Sequence, residues 1–140
     1  AFLILMGPLA LWADWPLYNL FYMILPLISL FIFVASGSFM LSVLNVFFRD
    51  TKFVLNFFLQ ISFYLTPIFY PKEFVPENLM WIVDVNIFYK LIYPIQMLSQ
   101  EFTLSEYWSA LINSLFTSLF MFGLTYFYWR KKRNDVYFLF

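Results

Sequence analysis

From Trp15 to Phe48 the chain carries no Asp, Glu, Lys or Arg. A run this long and this apolar must be buried whole or placed in lipid. Burial inside a soluble core needs a polar surface to cover it, and charged residues make up only 11% of the 140 residues, against roughly 25% in soluble domains. Lipid is the consistent solvent. A spanning helix needs about 20 mostly apolar residues, because the hydrocarbon core is about 30 Å thick and a helix rises about 1.5 Å per residue. The expected fold class is all-α: a polytopic bundle of transmembrane helices, with short re-entrant or interfacial helices before the last span.

Four stretches are read as spans. Ala1 to Leu11 is apolar but short, and is expected to be the end of a span that begins further upstream. Trp12-Ala13-Asp14-Trp15-Pro16 reads as an interfacial turn. The second span is placed at Leu17 to Leu41, kinked at Pro26, with Ser42 to Phe48 running on into the interface. Its small residues, Ala35, Ser36, Gly37, Ser38 and Ser42, suit close helix approach. The third is placed at Phe53 to Tyr70. Here Asn56, Gln60 and Tyr64 recur at helical spacing, with Pro67 close to the same face. Such a stripe faces either a neighbouring helix or a path for substrate. The last span is placed at Tyr107 to Trp129, with Asn113, Thr117 and Ser109 as its polar face and the basic cluster Arg130-Lys131-Lys132-Arg133 as its stop.

Between the last two spans, Pro71 to Glu106 mixes charges with Pro71, Pro76 and Pro94 and is too broken to cross. It is read as an extracytoplasmic re-entrant segment, tolerated where protein or water satisfies its backbone. Thr103 and Glu106 have the spacing of a capping box, which places a helix start near Ser105. The whole chain, 1–140, is expected to form the C-terminal half of one transmembrane domain.

Charge sets the expected orientation. Arg49, Lys52, Arg130, Lys131, Lys132 and Arg133 fall on one side of the alternating spans, with only Lys72 and Lys90 on the other. The positive-inside bias puts the first group, and so the C-terminus, in the cytoplasm. The basic cluster also suits anionic lipid headgroups.

The chemistry is sparse. Without cysteine or histidine, thiol chemistry, the commonest metal ligand and the usual general base are all missing. No catalytic residue, metal or cofactor is expected, and a net charge of zero implies no bulk attraction to nucleic acid. No span carries an ionisable residue near its centre, which weighs against ion coupling. With only three glycines there is no Walker-type phosphate loop. Energy for uphill transport would come from another chain docking on a cytoplasmic surface. The candidate is the loop Arg49-Asp50-Thr51-Lys52, whose plainer reading is topogenic.

The stretch Leu44-Asn45-Val46-Phe47-Phe48-Arg49-Asp50-Thr51-Lys52-Phe53-Val54-Leu55 resembles the cytoplasmic junction of type-2 ABC exporter permeases, and Thr66-Pro67-Ile68-Phe69-Tyr70 resembles the end of the span that follows it there. The likeness is greatest to permeases for O-antigen, capsular polysaccharide or teichoic acid in the bacterial inner membrane. It implies a six-span subunit, a homodimer of such subunits, and a partner in the form of a cytoplasmic ATP-binding ABC subunit close to Arg49–Lys52. Asn86-Ile87 and Gln96 depart from the family, which often has Asn-Pro and a later Arg there. Candidate residues for the translocation path or gate are Asn56, Gln60, Tyr64, Pro67, Phe69, Tyr70 and Trp81. The alternatives are a permease for a small hydrophobic drug or lipid, and a membrane scaffold that transports nothing.

Overall fold

The computed structural model of the protein describes residues 18–67, 74–98 and 102–137, with side chains placed from 21 to 134 within those segments. Every regular element in them is helical: α1 (Tyr18–Phe47), α2 (Thr51–Leu65), a 3-10 turn (Glu77–Leu79), α3 (Met80–Val85), α4 (Ile87–Met97) and α5 (Leu104–Tyr137). The all-α expectation holds, and the short helices α3 and α4 do precede the last long one. The expected partial span at 1–11 and the turn around Asp14 lie outside the described residues.

Two helices are long and apolar enough to cross a membrane, over Phe21–Phe47 and Leu104–Asn134. Their exposure pattern inverts that of a soluble protein. Phe31 is 72% exposed, Phe116 71% and Phe127 69%, while Ser29, Ser114 and Ser118 are fully buried. Large apolar rings outside and small hydroxyls inside are what lipid selects, because tails solvate phenyl groups while helix contacts need small or hydrogen-bonding residues.

α1 and α5 pack along their lengths, and their contacts fix the sense. Tyr22 stacks edge-on with Tyr107, Ser29 bonds Ser114, Thr125 donates to the carbonyl of Ser36, and Phe39 meets Trp129. Numbers rise together along both helices, so the two run parallel. For both to cross a bilayer, the chain between them must cross back an odd number of times, and α2 with the segment after it lies on that return.

The seam is built from hydroxyls. Ser29 Oγ lies 2.6 Å from both Ser114 Oγ and Ser118 Oγ, and Ser118 also donates to the Ser114 carbonyl. Higher up, Pro26 removes an N–H from α1 and so leaves the carbonyl of Tyr22, four residues earlier, without its helical donor. The hydroxyl of Tyr107, fully buried, donates to that carbonyl. Beside it Met23, Leu98, Tyr107 and Leu111 form the apolar core, which also ties in the end of α4. Of the small residues read on α1, Ser36 is buried toward α5, whereas Ala35, Ser38 and Ser42 face outward.

α5 begins as its capping box dictates. The Glu106 N–H donates to Thr103 Oγ1 and the Thr103 N–H to a Glu106 carboxylate oxygen, each at 3.3 Å. Its far end departs from expectation. The apolar stretch stops at Trp129, but the helix runs through the basic cluster to Tyr137. Lys and Arg are good helix formers, so polarity ends the apolar face without ending the backbone ladder.

Candidate functional site: a broken helix held by a re-entrant hairpin

α2 follows α1 after a very short link. Thr51 Oγ1 donates to the Phe48 carbonyl at 2.6 Å, and the N–H groups of Phe53 and Val54 both reach the Asp50 carbonyl. Arg49, Asp50 and Lys52 are exposed, and Lys132 of the basic cluster sits 5.1 Å from the Phe47 ring centroid. The proposed coupling loop and the basic cluster therefore share one end of the bundle.

With 15 residues, α2 is about 22 Å long, short of the hydrocarbon core. The expected span ran on to Tyr70. The helix instead ends at Leu65, and Thr66 turns extended with φ −95° and ψ 122°. Pro67 accounts for this, since the residue before a proline is pushed out of the helical region.

A helix broken among apolar surroundings leaves carbonyls that something must satisfy. Here two side-chain amides do it. Asn86 Nδ2 donates to the Leu65 carbonyl at 3.3 Å and to Thr66 Oγ1 at 3.0 Å, and Gln96 Nε2 donates to the Pro67 carbonyl at 3.1 Å. The other end of Asn86 caps α4, its Oδ1 accepting from Phe88 N–H at 2.9 Å and Tyr89 N–H at 3.3 Å. Thr66 and Pro67 are buried by this arrangement.

Asn86 is also the tip of a hairpin. α3 enters it and α4 leaves it, and just past the tip Phe88 packs against Phe33, near the middle of α1, with ring centroids 6.1 Å apart. By its last turn α4 has returned to the level of Met23 and Tyr107, where Leu98 joins the core. The segment read as re-entrant thus dips to mid-helix depth and comes back. The two residues that grip the broken end of α2 are Asn86, beside the departure at Ile87, and Gln96, itself a departure from the resembled family.

The path candidates do not converge on one place. Asn56, Gln60 and Tyr64 form a continuous exposed stripe on α2, which has no buried residue at all. Trp81 lies elsewhere, in a crevice of about 250 Å³ with Phe58, Ser62, Leu65 and Phe88, on the side of α2 turned away from that stripe. Phe69 and Tyr70 lie outside the described residues. On α5, Asn113 and Ser109 face outward and Thr117 donates to the Asn113 carbonyl; the inward stripe is Ser114, Ser118 and Thr125. Its signal was present as serines four apart, with a threonine seven further on.

Parallel long helices with hydroxyls along their seam, and a broken helix gripped by a re-entrant hairpin, define a polytopic α-helical membrane bundle. The chain is similar to two O-antigen export system permease proteins named RfbA, both from Klebsiella pneumoniae: one is 38% identical over 64 residues, covering 44% of this chain and 25% of the relative, and the other 38% identical over 55 residues, covering 39% and 21%. The likeness to polysaccharide export permeases read from the sequence is borne out by these relatives. The match spans about a quarter of their length. No protein-family profile and no solved structure matches the chain.

Proposed function

We propose that this chain is part of the permease subunit of an ATP-driven exporter that moves a lipid-linked polysaccharide, of the O-antigen, capsule or teichoic acid kind, across the bacterial inner membrane. The observation that carries the reading is the 38% identity to O-antigen export permeases, supported by the exposed polar stripe of Asn56, Gln60 and Tyr64 on α2. ATP is hydrolysed by a separate cytoplasmic chain that docks near Arg49, Asp50, Thr51 and Lys52. The short link transmits its motion to α2, because Thr51, the first residue of α2, donates through both its N–H and its hydroxyl to the carbonyl of Phe48, next to the end of α1.

Two such subunits pair so that the α2 stripes face a common path. Asn56 and Gln60 offer amide donors and acceptors, and Tyr64 offers a ring with a polar tip, a surface suited to sugars, which have apolar faces and hydroxyl edges. Pro67 sets where the stripe ends. The basic cluster lies in the cytoplasm. The alternative cargo, a small hydrophobic drug or lipid, needs no such amide ladder.

Deleting the full-length gene tests the reading. The expected result is loss of surface glycan, with lipid-linked polymer accumulating on the cytoplasmic face. Unchanged surface glycan rules the reading out.

A further inference from the structure

A second feature of the α1 and α5 seam lies on its outer side. Phe31, Ala35 and Phe39 of α1 face Phe122, Tyr126 and Trp129 of α5 across an apolar groove of about 330 Å³, at the low end of the roughly 300–1,000 Å³ of small-molecule sites. Ala35 makes the groove: it is a methyl between two phenylalanines on one face. The rings of Phe39 and Trp129, 5.3 Å apart and edge-on, close the end nearest the basic cluster.

The helical repeat then decides what meets that end. Phe122, Tyr126, Trp129 and Arg133 recur at intervals of four, three and four, so Arg133 continues the α5 wall of the groove one turn past Trp129. Arg130 lies next to that line. Both are exposed, and neither has an acidic partner among the described side chains. Lys132 is turned the other way, over Phe47.

We infer that this groove is a binding site for an anionic phospholipid, one acyl chain lying between Phe31 and Trp129 and the headgroup phosphate held by Arg133 and Arg130. The aromatic walls of the trough offer dispersion contacts to an acyl chain, and a guanidinium one turn beyond its end matches phosphate geometry by forked hydrogen bonds. Charge complementarity thus picks an acidic lipid over a zwitterionic one. The site is independent of the cargo, since it lies on the seam and away from the α2 stripe.

Photolabelling of the full-length protein in vesicles tests it, using phosphatidylglycerol or phosphatidylcholine with a diazirine on the acyl chain. The expected result is labelling of Phe39, Tyr126 or Trp129 by the phosphatidylglycerol probe, displaced by unlabelled phosphatidylglycerol and not by phosphatidylcholine. Arg133→Gln should weaken labelling about fivefold, the effect of one surface cation, and Ala35→Leu should abolish it by filling the trough while the arginines remain. Both positions are exposed, so neither variant threatens folding. Equal labelling by the two lipids, labelling untouched by both substitutions, or no labelling because another protein segment fills the groove would each overturn the assignment.

Discussion

Tyr107 and Pro26 form a pair that a cycle of substitutions can isolate. The tyrosine hydroxyl serves a carbonyl whose i+4 helical donor proline has removed. Tyr107→Phe keeps the ring and its stacking on Tyr22 but removes the hydroxyl donor to that carbonyl, and should cost about 1 kcal/mol in a detergent unfolding titration. In a Pro26→Ala background the alanine N–H takes over the Tyr22 carbonyl, and the same substitution should then cost little. Equal costs in both backgrounds would refute the pairing. Asn86 offers a second case, because its two ends do different work. Asn86→Asp keeps the acceptor that caps α4 and loses the donor to Leu65 and Thr66. Hydrogen exchange should then quicken at the Thr66 amide while the first turn of α4 stays protected; loss of protection at both would mean that the cap and the grip are not separable.

At the scale of elements, what was legible in the sequence follows from how each signal is encoded. Long uncharged runs and a capping box act through neighbouring residues, so α1 and the start of α5 could be read directly. Facing could not. α5 carries two polar stripes side by side, Asn113 with Thr117 and Ser114 with Ser118, and nothing local says which one α1 will cover. The stripe with Asn113 is the more polar, but α1 covers the serines, whose small side chains pack closely against Ser29. The end of α2 was misplaced because apolar composition continues past Thr66, while the break is set by Pro67 and by partners some 20 and 29 residues away. The serine seam yields its own expectation. Ser29→Ala should cost under about 1 kcal/mol, as membrane hydrogen bonds generally do. Ser29→Leu, which drives a branched side chain into a closed seam, should cost about 1–3 kcal/mol. Detergent unfolding of both variants measures the difference, and similar losses would show that hydrogen bonding and not closeness holds α1 to α5.

For the whole molecule, the coupling proposal and the lipid site both depend on which ends lie together. The link at Arg49 and the basic cluster share an end, with Lys132 over Phe47 as the contact between them. Under the proposed function, Arg49→Glu in the full-length complex should lower transport-coupled ATP turnover while membrane insertion stays intact; normal turnover would leave the loop a topogenic role only. Because these 140 residues contain no cysteine, single cysteines placed among them can report sidedness once any cysteine elsewhere in the full-length protein is replaced. Lys52→Cys, Arg133→Cys and Glu77→Cys, each in the full-length protein in intact cells, should split when probed with an impermeant maleimide: Glu77→Cys labelled from outside, the other two only after the membrane is opened. Labelling of Glu77→Cys and Arg133→Cys from the same side would contradict the parallel crossing of α1 and α5.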